Sequence, residues 1–221
     1  MNVANARRNP LAQARDWTFP DGAFGADDTH NPVVDGRLRK QDCGRITDGA
    51  ATVVLCNDAY PARSRRASEA RITGWGHRGA PMLLDDKLAR SGEYLFPHVR
   101  RAATEAYERA SLNGPADLDV VELHDCFTIT EYAALDHLGF TPPGQGWRAV
   151  EDGTIDAMVN SSGGLIGAGH PVGATGVRML LDAYRQVADR AGEYQVPGAR
   201  RAATLNVGGS FTTAVVFVVE A

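Results

Sequence analysis

The order of apolar and polar positions along the chain predicts strands that alternate with helices. Short runs rich in β-branched and other apolar side chains favour strands. The predicted strands span residues 50–56, 71–75, 120–123, 202–207 and 212–219. The last two are separated by Gly208, Gly209 and Ser210, which predicts a tight closing hairpin.

Three longer segments repeat apolar residues at helical spacing, over residues 99–110, 128–138 and 177–191. Thr128, followed three positions later by Glu131, predicts a capping box, and Gly139 predicts the end of that helix. Glycines from residue 74 onwards predict the end of the second strand. Residues 1–48 have no sustained period and predict an extended arm. Strands alternating with helices before a closing hairpin indicate a layered α/β domain with a mixed sheet.

Composition narrows the class of protein. The 221 residues are 43% hydrophobic and 23% charged, enough apolar mass for one large domain or two small ones, which excludes a disordered or fibrous chain. The formal net charge of −4 provides no overall positive field, so we expect no nucleic-acid partner. Residues 1–20 lack an apolar core and the longest apolar run is 214–219, so we expect no targeting segment and no membrane span.

The three cysteines, Cys43, Cys56 and Cys126, are odd in number and widely spaced. This pattern favours free thiols over a disulfide framework or a zinc site. It therefore predicts a protein of a reducing compartment, with a cytoplasmic location and no metal.

A glycine-dense stretch, SSGGLIGAGHPVGATG, covers residues 161–176 and is called the glycine loop below. A dinucleotide fingerprint is a poor match, because His170 and Pro171 stand where the turn should approach a pyrophosphate and no strongly apolar strand precedes it. The loop instead presents an imidazole near the start of a helix beginning near Gly173. His170 is therefore a candidate proton acceptor or donor, the alternative being a histidine that only completes a turn.

A second polar cluster, His124-Asp125-Cys126, follows the predicted strand 120–123. Alternate residues of an extended segment face one side, so His124 and Cys126 are expected to lie together. A thiol beside an imidazole can be kept partly as thiolate. The alternative is a buried cysteine acting as a small apolar side chain. Asn206 with Gly208 and Gly209 interrupts the apolar closing hairpin and is either a further site element or only a turn.

Taken together, these stretches resemble a known family. HDCFT (124–128), the glycine loop and TLNVGGSFTTAVVF (204–217) are similar, in order and spacing, to the C-terminal half of thiolases, above all the sterol-carrier-protein type. NVANARRNPLAQ (2–13) and CGRITDGAATVVL (43–55) also resemble thiolase segments. The resemblance covers nearly the whole chain, and GHPxGxxG is its most specific motif.

The resemblance implies a fold and a division of the chain. Thiolases pack two βαβαβαββ halves into a layered α/β/α/β/α enzyme, usually dimeric, that joins or cleaves acyl chains on coenzyme A. Residues 1–45 would then be a remnant of the loop domain, 46–60 the last strand of the amino-terminal half, and 61–221 the C-terminal thiolase domain. Strand 50–56 would lack its sheet partners, which predicts poor solubility or association of the isolated chain.

The resemblance also implies roles for individual residues. His170 would activate the nucleophile and help to form an oxyanion hole. His124, in place of the asparagine of an NEAF motif, would line the thioester-oxygen site, and Cys126 would act as acid and base on the α-carbon. Asn206 replaces the cysteine of the usual CxG motif and cannot abstract a proton. The remaining loop and substrate-binding positions would be Gly208, Gly209, Ser162, Gly163 and Gly169.

The implied function is a thiolase-type acyl-CoA acyltransferase of lipid or sterol metabolism, with the coenzyme A thioester as substrate and no other cofactor. The nucleophilic cysteine belongs to the amino-terminal half, and Cys43 and Cys56 do not match its surroundings. We therefore expect a homodimer or a complex with an amino-terminal half. The alternatives are a thiolase-like aldolase acting on a steroid side-chain CoA ester, and a non-catalytic acyl-CoA-binding subunit.

Overall fold

A computed structural model describes residues 1–57, 70–153 and 155–221. Its helices are α1 (Asn2–Arg8), α2 (Leu84–Leu88), α3 (Pro97–Arg109), α4 (Thr128–Leu138), α5 (Gly146–Glu151), α6 (Gly164–Ala168) and α7 (Thr175–Val187). Its strands are β1 (Val33–Asp35), β2 (Leu38–Arg39), β3 (Arg71–Gly79), β4 (Val120–Leu123), β5 (Arg201–Gly208) and β6 (Thr213–Glu220). The boundary predicted between residues 60 and 61 lies outside the described residues, and the division of the chain at 45 and 60 stays a prediction.

A four-stranded mixed sheet in the order β3-β6-β5-β4 forms the centre of the domain. β4 pairs with β5 in parallel, with Leu123 opposite Leu205. β5 and β6 form the predicted antiparallel hairpin, and β3 pairs antiparallel with β6. The predicted strands at 71–75, 120–123, 202–207 and 212–219 are therefore confirmed, as is the mixed sheet.

Helices cover both faces of this sheet. Val121 and Leu123 of β4 pack in the larger apolar cluster, with side chains from α3 and α4. Val120 faces the opposite side and packs with Ala183 and Val187 of α7. Alternate residues of one strand thus enter two cores, as the period of two requires. The predicted layered α/β architecture and the three predicted helices are confirmed.

Strand β3 is longer than predicted because its glycines serve the helix beside it. A Cβ at Gly74 would overlap the carbonyl oxygen of Ala106, and one at Gly76 that of Ala102. Both carbonyls belong to α3, which therefore lies directly on the β3 backbone. The expectation that the glycines end the strand after residue 75 is wrong, since here they permit close packing instead of a turn.

The predicted strand at residues 50–56 is also wrong, because these residues form no strand. Val54 is 91% exposed and Leu55 is 70% exposed. A run of β-branched residues becomes a strand only when a neighbouring strand accepts its backbone hydrogen bonds. We call residues 50–57 the outer segment.

The expectation of an extended arm over residues 1–48 is only partly correct, since α1 and the small β1–β2 hairpin lie within it. Asparagines attach α1 to the domain. Asn5 Nδ2 donates to the carbonyl oxygens of Asp156 and Val159, each at 2.9 Å. Asn9 Nδ2 donates to Ser162 O at 2.5 Å. Polar side chains of the predicted arm thus bind backbone carbonyls of the domain.

The capping box predicted at Thr128 is absent. Phe127 precedes α4 and Thr128 is its first residue. Thr128 Oγ1 donates to Asp42 Oδ1 at 3.0 Å, and the Glu131 side chain is buried against Asn2 and Asn160 instead of turning back to the helix start. Gly139 ends α4 in the left-handed conformation, as predicted.

Within the described ranges, no helix is both long and apolar enough to cross a bilayer. Cys43, Cys56 and Cys126 are free thiols.

Candidate active site

Two predicted residues, His124 and His170, meet at the carboxyl end of β4 and are called the histidine pair below. Their ring centroids lie 5.0 Å apart with perpendicular planes. His124 extends the parallel pairing of β4, since its backbone N–H donates to Leu205 O at 3.0 Å. His170 follows α6 in the glycine loop. A strand end and a distant loop thus bring two imidazoles into one site.

Residues 43–47, called the strap below, connect the surroundings of both histidines. Gly44 N donates to Cys126 O at 2.7 Å, and His170 N donates to Arg45 O at 2.8 Å. Thr47 N donates to His170 O at 3.4 Å. The strap therefore fixes the backbones of Cys126 and His170 relative to each other.

The contacts of His124 determine which ring nitrogen carries hydrogen. Asn206 Nδ2 lies 3.1 Å from His124 Nδ1. An amide N–H donates, so Nδ1 accepts and the ring hydrogen lies on Nε2. Burial lowers the pKa of His124 from 6.5 to about 4, with smaller contributions from the charges of His170 and Arg178. His124 is thus a neutral hydrogen-bond donor at neutral pH.

His170 has the opposite arrangement. Thr175 Oγ1 donates to Pro171 O at 3.2 Å and lies 2.8 Å from His170 Nδ1. The single hydroxyl hydrogen is used for the carbonyl, so His170 Nδ1 donates and Nε2 has a free lone pair. Burial, and then the charge of Arg178, lowers the pKa of His170. The pair therefore combines a proton acceptor with a hydrogen-bond donor.

Cys126 lies half-buried beside this pair in the chain, with its Sγ 4.0 Å from Thr130 Oγ1. Burial raises the pKa of this thiol, and the charge of Asp125 adds to the effect. Burial therefore acts against a partial thiolate at Cys126, because both histidines are neutral and desolvation dominates. The thiol is protonated at neutral pH and can give up a proton only to a strong base.

Two buried carboxylates hold the glycine loop. Leu165 N donates to Asp125 Oδ1 at 2.6 Å and Ile166 N to Asp125 Oδ2 at 3.4 Å. Ser162 Oγ donates to Glu122 Oε2 at 2.5 Å. Glu122 lies in β4 and Asp125 just after it. The end of this strand therefore fixes both the start of the glycine loop and its helical turn, α6.

Three residues assigned to substrate binding lie inside the domain, not on its surface. Ser162 is fully buried, and a Cβ at Gly163 would lie 3.0 Å from Ala6 Cα. Gly169 has φ +88°, and a Cβ there would lie 2.8 Å from the Thr47 side chain. The structure thus uses these three positions to pack the glycine loop against α1 and the strap.

The closing hairpin contributes Asn206 to the site, while Gly208 and Gly209 lie beyond it at the turn. Gly209, Ser210 and Phe211 all have φ between +52° and +63°. The buried Lys87 ammonium donates to Gly209 O at 3.1 Å, Ser210 O at 2.7 Å and Thr212 Oγ1 at 2.8 Å. These bonds satisfy the carbonyls of a turn in a conformation that non-glycine residues seldom adopt.

Sequence reasoning gave Asp125 no role of its own and missed Glu122, Lys87, Thr175 and Arg178. Asp125 stood between the two predicted residues, so a buried acid at a strand end was the available signal. Of the other four, Thr175 contacts the His170 ring directly, whereas the rest act through backbone, a serine hydroxyl or charge, and no local pattern marks any of them. Within the described residues, no group of three or more histidine, cysteine or acidic side chains is placed to hold a metal ion.

Comparisons with known proteins give a consistent result. A family model described as "Thiolase C-terminal domain-like" matches residues 85–221. An acetyl-CoA acetyltransferase of Methanothermobacter thermautotrophicus is 37% identical over 99% of this chain and 55% of its own length. Sterol carrier protein 2 of Rattus norvegicus is 44% identical over 94% of this chain and 38% of its own length.

A solved structure described as an Ltp2-ChsH2(DUF35) aldolase superposes on the whole chain with a TM-score of 0.77 at 18% identity, covering 56% of that chain. At this identity the likeness shows the fold. The chain thus spans about half the length of the acetyltransferase, 55%, and less of sterol carrier protein 2, 38%. The predicted family resemblance and thiolase-like fold are confirmed.

Proposed function

The chain belongs to the thiolase C-terminal domain family, and on this premise we propose that it is the C-terminal part of a thiolase-type acyl-CoA acyltransferase. The reaction would be thiolysis of a 3-ketoacyl-CoA or acetyl transfer to acetyl-CoA. One observation carries the proposal: the His170 ring, whose Nε2 is a free proton acceptor, lies 5.0 Å from the ring of His124, whose Nε2 carries a hydrogen. Acyl transfer on a thioester needs both groups at one carbonyl.

The proposed steps use the geometry directly. His170 takes the proton of the attacking nucleophile, which adds to the 3-keto carbon. The bond between C2 and C3 then breaks, and C2 takes the proton of the Cys126 thiol. The thiol of coenzyme A accepts the acyl group, returning its proton to Cys126, and His170 returns its proton to the nucleophile. His124 Nε2–H would donate to the thioester oxygen, and such a contact typically lowers the activation barrier by about 3–4 kcal/mol.

We infer that neither of the other two cysteines is the nucleophile. Cys43 Sγ contacts Arg39 O at 3.5 Å, and burial and the charge of Asp42 raise its pKa. Cys56 is exposed in the outer segment. We therefore propose that an amino-terminal thiolase half supplies the nucleophile, in a separate chain or in a longer form of this one.

The surroundings of the site support such a partner. An open cleft of about 450 Å³ lies between residues 47–51 and the start of α7, directly beyond His170. The exposed apolar residues of the outer segment adjoin it in sequence. We propose that the amino-terminal half covers this region, that the assembly dimerises, that the coenzyme A thioester binds without a further cofactor, and that the protein is cytoplasmic.

The test is reconstitution. The chain is assayed with acetoacetyl-CoA and coenzyme A, alone and with the amino-terminal half of the Methanothermobacter relative added as a second polypeptide. We expect thiolysis only in the mixture, and a large loss with Cys126→Ala or His170→Ala. Full activity in a mixture that carries either variant would remove that residue from the mechanism.

A second candidate is supported by Asn206, which stands where the family has a cysteine and instead orients His124. A thiolase-like aldolase needs a base and a proton donor but no nucleophilic thiol. In that reaction His170 would take the hydroxyl proton of a β-hydroxyacyl-CoA, the C2–C3 bond would break, and Cys126 would protonate C2. Release of ketone or aldehyde from such a thioester distinguishes this activity from thiolysis. Calorimetric binding of acetyl-CoA without turnover in either assay would assign a non-catalytic binding role.

A further inference from the structure

Asp125 connects the two segments that carry the histidine pair. It is joined covalently to His124, and its carboxylate is fully buried. Its oxygens accept hydrogen bonds from Leu165 N at 2.6 Å, Ile166 N at 3.4 Å and Asn2 Nδ2 at 2.9 Å. The same side chain therefore contacts α6, which leads to His170.

The path from Asp125 to His170 is short and has little freedom. α6 is a single helical turn, Gly164–Ala168, and Gly169 N donates to Leu165 O at 3.0 Å. His170 follows at once and is held by Arg45 O through its backbone N–H. A displacement of Leu165 is therefore transmitted to the His170 ring within five residues.

We propose that Asp125 is a positioning residue whose carboxylate holds α6 so that the His170 ring stays against His124. The geometric claim stands on the hydrogen bonds alone. Its consequence for catalysis rests on the function proposed above.

The fit around the carboxylate is close. Gly164 has φ +61°, and a Cβ there would overlap the Asp125 carboxylate. Burial raises the pKa of Asp125 to about 6, while the Leu165 N–H and the charge of Arg178 act against this. Other polar groups near Asp125 are Glu131, which shares the Asn2 amide, and Arg15, whose guanidinium donates to Ile166 O at 3.1 Å. In a low-dielectric interior, the backbone N–H groups of Leu165 and Ile166 each need a hydrogen-bond acceptor, and the two carboxylate oxygens of Asp125 provide one for each.

Asp125→Asn tests the role with minimal change of shape. The asparagine has one acceptor oxygen and turns an NH₂ group towards an N–H donor, so α6 must shift. Asp136→Asn is a matched control, because Asp136 is also buried and accepts a backbone N–H, that of Gly144 at 2.8 Å, but it lies on α4 and contacts neither histidine of the pair.

The readout is nuclear magnetic resonance of the whole chain, labelled with carbon-13 and nitrogen-15 at histidine, which needs no enzymatic activity. In the wild type we expect cross-relaxation between the ring protons of His124 and His170. Asp125→Asn should weaken that cross-peak at least threefold and shift the His170 ring resonances, whereas Asp136→Asn should leave both unchanged. An unchanged cross-peak in a folded Asp125→Asn chain would overturn the proposal.

A second variant covers the case in which Asp125→Asn does not fold. Asn2 is only half-buried, and Asn2→Ala removes one donor to Asp125 Oδ2 while keeping the carboxylate. We expect the His170 resonances to move in the same direction by a smaller amount, and no movement would contradict the proposal. In the reconstituted enzyme, Asp125→Asn should lower kcat at least tenfold with less than a twofold change in KM. Loss of activity in both variants with an intact cross-peak would leave the proposed function standing and reject the positioning role.

Discussion

The glycine loop, which carries His170, and the outer segment have surroundings that differ sharply. Ser162 at the start of the loop is fully buried, whereas Val54 of the outer segment is 91% exposed. The loop is rich in small and polar residues, and the outer segment is apolar. Simple hydropathy would have placed them the other way round.

The two regions differ in whether this chain itself provides the groups that contact them. Asp125, Glu122 and the amides of Asn2, Asn9 and Asn160 give the surroundings of the loop their hydrogen bonds from within this chain. The outer segment has apolar side chains that need another surface to cover them. The glycine loop therefore has its hydrogen-bond partners within this chain, whereas the outer segment is the face that we propose binds a partner.

The largest expected effect falls on the glycine loop. His170→Ala removes the proposed proton acceptor, and general base catalysis commonly contributes about 10²–10⁴-fold in rate. We expect kcat/KM of the reconstituted enzyme with acetoacetyl-CoA to fall by that order. His77→Ala, at an exposed position of β3, is the control and should leave the rate unchanged. A loss of less than tenfold for His170→Ala would show that the loop only frames the site.

Most of the strands could be predicted from the sequence. Four of the five predicted strands exist because their apolar runs pair with one another inside this chain. The fifth, at residues 50–56, is similarly apolar, but it forms no strand here because a strand also needs a neighbouring segment to pair with, and the pattern of one segment does not reveal that neighbour. A strand is a property of two segments, and a single run of residues shows only one of them.

The candidate site could also be predicted only in part. His124, His170 and Asn206 were predicted, since reactive side chains at a strand end, in a glycine loop and in a hairpin stand out locally. Their protonation states depend on Thr175, Arg178 and the degree of burial, which are tertiary properties. The ionisation of the Cys126 thiol is also a tertiary property: sequence adjacency to an imidazole allows a thiolate, whereas desolvation favours the protonated thiol.

A pH measurement tests whether the buried network beside the loop is as dry as the structure indicates. Burial, and then the charge of Asp125, raises the pKa of Glu131 from 4.5 to about 8. The folded state then holds a proton that the unfolded state loses above pH ~4.5, so this stability is present at low pH and lost as pH rises towards 8. Glu131→Gln mimics the protonated acid. We expect its free energy of unfolding in urea to exceed that of the wild type by an amount that grows between pH 5 and 8, reaching on the order of 3 kcal/mol. Parallel pH profiles for the two proteins would contradict the raised pKa.

A smaller effect is expected at the closing hairpin. Lys87→Met keeps the length of the side chain but removes the three hydrogen bonds that the buried ammonium donates to Gly209 O, Ser210 O and Thr212 Oγ1, in a turn of three positive φ angles. Hydrogen bonds from a charged group contribute about 1.5–3 kcal/mol, so the free energy of unfolding in urea should fall by about 2–3 kcal/mol. Lys40→Met at an exposed position should change it by less than about 0.5 kcal/mol. Equal effects for the two lysines would show that the ammonium does not hold the turn.

The smallest effect on stability, and the one that most directly tests the contrast between the two regions, is expected in the outer segment. Val54→Ser should change the free energy of unfolding of the isolated chain by less than about 0.5 kcal/mol, because the side chain is already exposed. Burying a valine contributes about 1.5 kcal/mol or more, so binding of the amino-terminal half should weaken about tenfold in calorimetry. Val34→Ser, at an exposed position in the β1–β2 hairpin, should leave that affinity unchanged. A Val54→Ser chain that is clearly destabilised on its own would mean that the outer segment already packs against its own domain, and the contrast with the glycine loop would then no longer identify the face that binds a partner.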